Sequence, residues 1–183
     1  VPINDTFTGA QTRAQYGTLA GEQVGTYGIT QGTLAPSSNN YAVNYFGGTL
    51  TINAALLNIA ANSQNKQYGT NDPTLTYSQT GLVNGVTVDG VPINDTFTGA
   101  QTRAQYGTLA GEQVGTYGIN QGTLAPSSNN YTVSYTGANL TIGAAPLNIL
   151  ANTQSKQYGT NDPTLTYSQT GLVNGVTVDG VPI

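Results

Sequence analysis

The sequence predicts an all-β chain made of tandem 90-residue repeats, each a small sandwich or an elongated Greek-key-like sheet with little or no helix. Three observations predict this fold class. The block Val1–Ile29 returns as Val91–Ile119, and only eleven positions differ between residues 1–90 and 91–180. Short runs rich in Val, Ile, Thr and Tyr alternate with clusters of Gly, Pro, Asn and Ser, which is typical of strands joined by turns. No segment shows sustained helical spacing with caps, and a period this long is the size of a domain.

The predicted strands follow one another at short spacing. In the first period they are Thr6–Thr8, Gln23–Thr30, Tyr41–Phe46, Thr49–Ile52, Leu57–Ala61, Leu75–Thr80 and Val86–Val88. Between two β-branched runs, Asp89-Gly90 predicts a tight hairpin, although Pro92 weakens the strand that follows because proline cannot donate a ladder hydrogen bond. The only helical expectation is a single turn near Ala14–Leu19.

Substitutions between the two copies predict which face of one strand is buried. Positions 42, 44 and 46 change from Ala, Asn and Phe to Thr, Ser and Thr one period later, whereas Tyr41, Val43 and Tyr45 are unchanged. This alternation has the two-residue period of a strand. We therefore expect Tyr41, Val43 and Tyr45 to face a core and the even positions to face solvent.

Charge is scarce in this chain. Charged residues make up 7% of the 183 residues, and the net charge is −4. Four basic residues are too few for the basic stripe that nucleic acid or an anionic membrane would need. No apolar run approaches the roughly 18 residues of a membrane span. We expect no nucleic-acid partner and no membrane insertion, and we expect any export signal to lie elsewhere in the parent chain.

The residue types present exclude several chemistries. With no His or Cys, the chain cannot use histidine catalysis, thiolate chemistry or a His/Cys metal site. Asp89 and Asp95 lie six residues apart around a turn, and nothing nearby indicates a pocket for paired-carboxylate catalysis. We therefore predict no enzyme, no catalytic residue and no cofactor. Twelve tyrosines argue against disorder, and a chain without Cys needs no oxidative folding during export, so the composition favours an extracellular protein.

Two places offer the oxygen ligands that calcium takes. They are Asn71-Asp72 and the equivalent residues Asp5 and Asp95. No ligand-rich loop of the Asp-x-Asp-x-Asp type is present, so no metal site is predicted. Asp72, which precedes Pro73, is expected instead to cap a turn by bonding its own backbone.

Lys66 is the single lysine of its repeat. We expect a surface lysine that favours solubility or pairs with Asp72. The alternative is a covalent bond from Lys66 to an Asn, with a neighbouring Glu as catalyst, which would lower the mass by one ammonia per domain.

The tyrosines of each repeat allow two interpretations. Most tyrosines in small β domains contribute to the core and keep their hydroxyl at the surface. Exposed tyrosines could instead stack on sugars while Asn and Gln bind hydroxyl groups. The residues concerned are Tyr16, Tyr27, Tyr41, Tyr45, Tyr68 and Tyr77.

One combination of motifs resembles a known family. Its first part is K-x-Y-G, D-P-x-L-x-Y and G-L-V-N-G between Lys66 and Gly85, and it continues as G-E-x-V-G-x-Y-x-I, G-x-L, N-Y-x-V and L-T-I between Gly111 and Ile142. This order is similar to that of the MBG domain, a glycine-rich, mostly β repeat of large bacterial adhesins, often of the filamentous-haemagglutinin kind. Members usually carry an acid after the Asn-Gly of the first part, where this chain has Val86.

The resemblance implies a domain frame and a role. Residues 1–53 would be the C-terminal part of one repeat, 54–143 a complete repeat, and 144–183 the N-terminal part of another. The chain is then expected to be a window of a long array, or a subunit whose residues 144–183 complete residues 1–53 of the next copy. The implied role is a structural repeat of a cell-surface or secreted bacterial fibre or adhesin stalk, supporting adhesion or biofilm matrix.

Two other functions stay open at this point. One is a binding module for surface or matrix polysaccharide or a host glycan, whose weak sites the repeat would make multivalent. The other is a functional amyloid, which the Gln, Asn, Gly and Tyr content allows. The long period and the prolines at 36, 73 and 92 disfavour amyloid.

Overall fold

The computed structural model describes residues 2–183, and their regular structure is almost entirely β. The only helical segments among these residues are two four-residue 3-10 turns, Leu19–Glu22 and Leu109–Glu112, so the predicted all-β class is confirmed. In chain order the strands are β1 (Phe7–Thr8), β2 (Thr12–Arg13), β3 (Gly25–Thr30), β4 (Ala35–Pro36), β5 (Gly48–Ile52), β6 (Ala55–Ala61), β7 (Gln64–Gln67), β8 (Tyr77–Thr80), β9 (Asn84–Val88), β10 (Val91–Asn94), β11 (Phe97–Thr98), β12 (Thr102–Arg103), β13 (Gly115–Asn120), β14 (Ala125–Pro126), β15 (Tyr131–Thr136), β16 (Ala138–Gly143), β17 (Asn148–Ala151), β18 (Tyr167–Thr170), β19 (Thr177–Val178) and β20 (Val181–Pro182).

These elements belong to two compact units, each assembled from three stretches of chain. The first unit contains residues 2–59, Gln79–Thr98 and Ala125–Ser134, and the second contains Ala60–Ser78, Gly99–Leu124 and Tyr135–Ile183. Strands β6, β8 and β15 contribute residues to both.

The first unit contains one three-stranded antiparallel sheet and several two-stranded ribbons. The sheet has the order β2-β3-β5, with Tyr27 opposite Leu50. The ribbons pair β1 with β4, β11 with β14, and β9 with β10. The last is the hairpin predicted at Asp89-Gly90, and Pro92 is accommodated in β10 opposite Thr87.

The second unit is organised around a mixed four-stranded sheet. Its order is β12-β13-β16-β7, and β16 runs parallel to β7 while the other neighbours are antiparallel. The buried residues Ile119, Leu140 and Ile142 form its core, because alternate residues of β13 and β16 point to the same face. Tyr68 and Leu75 pack against that core from the first part of the same repeat. The ribbons β17–β18 and β19–β20 complete the unit.

The two copies of the repeat use the same local structure. The Tyr27–Leu50 pair of β3 and β5 becomes the Tyr117–Leu140 pair of β13 and β16, exactly one period later in each strand. The 3-10 turns are also the same, since the Thr108 hydroxyl accepts from the Gly111 N–H at 3.1 Å just as its counterpart does 90 residues earlier. The repetition found in the sequence is therefore a repetition of structure.

The predicted strand Tyr41–Phe46 forms in only one copy. Its second copy is β15, in which Tyr131, Val133 and Tyr135 are half-buried and the even positions exposed, as expected. In the first copy these residues are not a strand, and Tyr41 and Val43 are 55% and 47% exposed, so the prediction is wrong for them. Tyr45 is half-buried in this copy, as expected. The reason is pairing: β15 lies beside β6, the opening strand of its own repeat, with the Ala55 N–H donating to the Asn130 carbonyl at 2.9 Å.

Candidate functional site

Five charged side chains meet in the second unit, and together they are called the charged site. Two are cations and three are carboxylates, and each side chain is at most 10% exposed. They come from β7, the loop that follows it, β12, the 3-10 turn Leu109–Glu112 and the turn between β19 and β20. The residues are Lys66, Asp72, Arg103, Glu112 and Asp179.

Every carboxylate of the charged site contacts both cations. The Lys66 Nζ lies 2.6 Å from Asp72 Oδ1, 2.5 Å from Glu112 Oε2 and 3.0 Å from Asp179 Oδ2. The Arg103 guanidinium donates to Asp72 and Glu112, and its Nη2 lies 3.8 Å from Asp179 Oδ2. With three negative and two positive groups, the site carries one net negative charge.

Neighbouring groups hold Arg103 in a single orientation. Its Nη1 donates to the Gly111 carbonyl at 2.9 Å, and its guanidinium carbon lies 5.4 Å and 5.5 Å from the ring centroids of Tyr106 and Tyr117. These distances are those of cation–π contacts. A Cβ at Gly111 would lie 2.0 Å from the Gln105 carbonyl oxygen, so only glycine allows the 3-10 turn to approach this closely.

Asp179 is bound through both its side chain and its backbone. The Asp72 N–H donates to the two Asp179 carboxylate oxygens at 3.1 and 3.0 Å, and the Asp179 N–H donates to Asn71 Oδ1 at 3.0 Å. Asp179 has φ = 49° and is followed by Gly180 with φ = 81°, the left-handed pair of a tight hairpin turn. The turn thus presents a carboxylate and an N–H together to the site.

The paired charges shift the pKa values of Lys66 and Asp72 against the effect of burial, as they also do for Arg103. Burial acts to lower the pKa of Lys66, but hydrogen bonds to Asp72, Glu112 and Asp179 outweigh it, and the net pKa lies above the ordinary 10.5. Burial acts to raise the pKa of Asp72, but hydrogen bonds from Arg103 and Lys66, together with their charges, hold the net pKa below the ordinary 3.8. Both groups are therefore charged at neutral pH.

This arrangement suits an ion-pair network better than a metal site or a cross-link. Asp72, Glu112 and Asp179 could hold a cation, since oxygens of all three lie within 4.8 Å of one another. The Lys66 ammonium already contacts all three at 3.0 Å or less, where such an ion would bind. A bond from Lys66 to an Asn would need a neutral amine, and the raised pKa of Lys66 opposes that form.

A partial version of the charged site occurs in the first unit. Arg13 donates to Glu22 and, at 2.7 Å, to the Gly21 carbonyl, and its guanidinium lies over Tyr27 at 5.4 Å. Asp89 in the β9–β10 turn lies 3.5 Å from Arg13 and is 43% exposed. The partial site contains the arginine, the glutamate and the turn aspartate, but no lysine and no second aspartate.

The other lysine of the chain lies in a different environment. Lys156 contacts Asp162, and these side chains are 47% and 78% exposed. They are the counterparts of Lys66 and Asp72 one period later, so the same pair is buried in one copy and open in the other.

The predictions for individual residues have mixed outcomes. Lys66 does pair with Asp72, but it is not a surface lysine, because its side chain is 3% exposed. The expectation that Asp72 caps a turn through its carboxylate is wrong, because Arg103 and Lys66 occupy that group. Asp5 accepts a hydrogen bond from Tyr41 at 2.8 Å.

The tyrosines divide between buried and exposed positions, and their predicted alternative role in sugar binding stays a prediction. Tyr27 is 9% exposed, and its hydroxyl donates toward the Ala20 and Gln23 carbonyls at 2.9 and 2.7 Å. Tyr16 and Tyr41 are more than half exposed. In the second copy Tyr131, the counterpart of Tyr41, is half-buried; burial and a hydrogen bond to Asp95 raise its pKa.

Sequence reasoning missed three members of the charged site: Arg103, Glu112 and Asp179. A usable signal was present, because the twelve charged residues amount to only six positions per period. Five of those six positions meet in the charged site, and the sixth is Asp95, which accepts from Ser128 and Tyr131.

Fold and site together define an all-β tandem repeat whose second unit contains a buried charged site. Residues 1–51, 57–141 and 147–182 match the family model of the MBG domain (YGX type), and the chain belongs to this family. The MBG domain is a repeat module of surface proteins and is not a known enzyme family. No curated protein and no solved structure matches the chain. Among residues 2–183, no helix has the length and apolar character to cross a membrane.

Proposed function

We propose that this chain is a structural element of an extracellular bacterial fibre or adhesin stalk, in which tandem MBG repeats extend a binding region away from the cell or contribute to biofilm matrix. The observation that carries the proposal is the join between repeats. Asp89, in the family match 57–141, contacts Arg13 in the match 1–51, and Asp179, in the match 147–182, contacts Arg103 in the match 57–141. An array built by such contacts can be lengthened one repeat at a time without changing its parts.

The chemistry of the charged site supports a structural role. Its five side chains form one ion-pair network, and its two cations are bound by the site's own carboxylates. The absence of Cys and the scarcity of charge agree with a long exported chain that folds outside the cell. Membership in a family of surface-protein repeats supports the same location.

We also propose that copies of this chain associate by completing each other's partial repeats. In the middle repeat, Tyr68 and Leu75 pack on the core formed by Ile119, Leu140 and Ile142. Their counterparts in residues 144–183 are open: Tyr158 is fully exposed and Leu165 is 78% exposed. Residues 144–183 of one copy therefore carry the side chains that residues 2–53 of another would cover.

Light scattering on the size-fractionated 183-residue chain tests this association. We expect oligomers whose size rises with concentration, and we expect Leu165→Asn to shift them towards monomer. The matched change Leu75→Asn alters the leucine that already packs on the core. It shows how far the same substitution destabilises the repeat itself. A monomer at all concentrations would contradict the proposed association and leave the stalk proposal standing.

The stalk proposal is tested by small-angle scattering from polypeptides of two, four and six periods. A stalk requires the radius of gyration to rise in proportion to the number of repeats. The radius of gyration of collapsed arrays would rise with roughly the 0.38 power of chain length, and that of disordered arrays with roughly the 0.6 power. Either of these weaker dependences would contradict the proposal, and polysaccharide binding by the 183-residue chain would favour a binding module instead.

A further inference from the structure

We infer that the charged site is a receptor for the Asp-Gly turn of the following repeat, and that this one turn couples consecutive repeats in the array. The inference rests on the proposed stalk function and names the contact that would stiffen it. The partner is a Val-Asp-Gly turn, here Val178-Asp179-Gly180, supplied by the next repeat of the same chain.

The first argument is the specificity of the contacts. The turn is bound by the Lys66 ammonium at 3.0 Å, by the Asp72 N–H at 3.1 and 3.0 Å, and by Asn71, which accepts from the Asp179 N–H at 3.0 Å. Together, these groups bind a carboxylate and a backbone N–H that lie at a fixed separation. A turn with an apolar residue in place of Asp179 would leave Lys66 with one fewer partner.

The second argument is the conformation of the turn. Asp179 has φ = 49°, in the left-handed region that few non-glycine residues tolerate, and Asp and Asn are among those few. Asn would keep the turn but could direct its amide N–H₂ donors towards Lys66 and Arg103, which have only donors to offer. Of the residues that suit the backbone, only Asp also suits the site.

The third argument is that the join extends beyond Asp179. Strand β20, which follows the turn, lies against the 3-10 turn that carries Glu112. A Cβ at Gly69 would lie 2.7 Å from the methyl carbons of Val173, so the glycine lets Val173 approach closely. In the first unit, β10 lies against the 3-10 turn Leu19–Glu22 in the same way.

Comparison of the two joins shows what a complete receptor needs. Asp179 is 8% exposed beside a lysine and an arginine, whereas Asp89 is 43% exposed beside Arg13 alone. The complete receptor takes Lys66 and Asp72 from the first part of a repeat, and Arg103 and Glu112 from its second part. Strong coupling should therefore form only where a whole repeat precedes the turn.

The test replaces Asp179 by Asn in the 183-residue chain and measures amide hydrogen exchange by NMR. The Asp72 and Asp179 amides should exchange at least about tenfold faster than in the unmodified chain, the change expected when one hydrogen bond to a charged group is lost. The amides of strand β13 should exchange faster by no more than this factor, because a bound turn also stabilises the repeat that binds it. The amides of strand β3, which lies in the first unit, should keep their exchange rates. The matched control Asp89→Asn, in the partial site, should change exchange at its own join by much less.

Two results would overturn the inference. Unchanged exchange at Asp72 and Asp179 would mean that the carboxylate does not hold the turn. An equal acceleration in strand β3 of the first unit would mean that the substitution disturbs the chain generally rather than this one contact. Neither result bears on the scattering test of the stalk, which fails only if the size of the array does not rise in proportion to its repeats.

Discussion

Replacing Lys66 by Met is the sharpest perturbation of the charged site. Methionine keeps most of the length and apolar stem of lysine but removes the ammonium that contacts Asp72, Glu112 and Asp179. Arg103 then remains as the only cation among three carboxylates. The chain supplies its own matched control in Lys156→Met, since Lys156 has the same position in its repeat but is 47% exposed.

The magnitude follows from burial and distance. Two carboxylates separated by the 4.8 Å limit found here repel by about 3 kcal/mol at an effective dielectric constant of about 20. Removal of one partner from a buried ion pair costs about 3–5 kcal/mol in measured cases. We expect Lys66→Met to lower the free energy of unfolding of the second unit by about 3 kcal/mol. An exposed pair such as Lys156–Asp162 is worth about 0–1 kcal/mol, so its loss should be small.

The assay is urea unfolding of both variants, followed by circular dichroism and by amide exchange in strand β13, which assigns the effect to the second unit. Equal effects of the two substitutions would refute the reasoning, because the argument depends on the difference in burial between Lys66 and Lys156. A stability increase in Lys66→Met would show that the free-energy cost of desolvating the ammonium exceeds the stabilisation from its three contacts.

Three further predictions concern packing, backbone and pH. Leu140→Ala should lower the free energy of unfolding by about 2–5 kcal/mol, because Leu140 is fully buried. The equivalent change at Leu50, which is 40% exposed, should lower it clearly less, and urea unfolding measures both. Gly111→Ala should lower the melting temperature because its Cβ would meet a carbonyl oxygen at 2.0 Å. Gly118→Ala in β13 should have little effect, because its Cβ would lie 4.0 Å from its nearest neighbour, Asn120 Oδ1. Acid should destabilise the second unit, because the pKa of Asp72 is lower in the folded chain than in the unfolded chain. The stability that Asp72 contributes is complete above its unfolded pKa of about 3.8 and is lost as the pH falls through the folded pKa. Unfolding experiments at stepped pH would detect this loss.

Each of these predictions has an outcome that contradicts it. Equal costs at Leu140 and Leu50 would mean that the two copies have the same core in solution. A neutral Gly111→Ala would show that the 3-10 turn can move away from Arg103. For the pH profile, Asp72→Asn should remove most of the loss in acid, and an unchanged slope in that variant would assign the loss to other carboxylates.

The fold was predictable where the relevant contacts are local or repeated. The 90-residue period, the alternating residues of β15 and the hairpin at Asp89-Gly90 can be inferred from spacing and turn chemistry, and the structure contains all three. The prediction failed at Tyr41–Phe46, whose sequence closely resembles that of β15. A strand needs a neighbour, and the pairing of β15 with β6 is a property of the whole repeat, which no local pattern encodes.

The charged site was only partly predictable for a related reason. Lys66 and Asp72 are six residues apart, and their pairing could be proposed from proximity in the sequence. Asp179 lies 113 residues from Lys66, and Arg103 lies 31 residues from Asp72, so only the folded chain brings them together. The burial of Lys66 could not be anticipated from its own neighbours either, because Lys156 has nearly the same neighbours and remains exposed.

The central claim is that the Asp-Gly turn of one repeat is bound by the repeat before it, and a double-mutant cycle between Lys66→Met and Asp179→Asn tests it most directly. The two side chains are 3.0 Å apart and lie in the neighbouring family matches 57–141 and 147–182. We predict that the losses in unfolding free energy are not additive and differ from their sum by at least about 1 kcal/mol. Losses that add to within about 0.5 kcal/mol, the limit for independent sites, would contradict the claim.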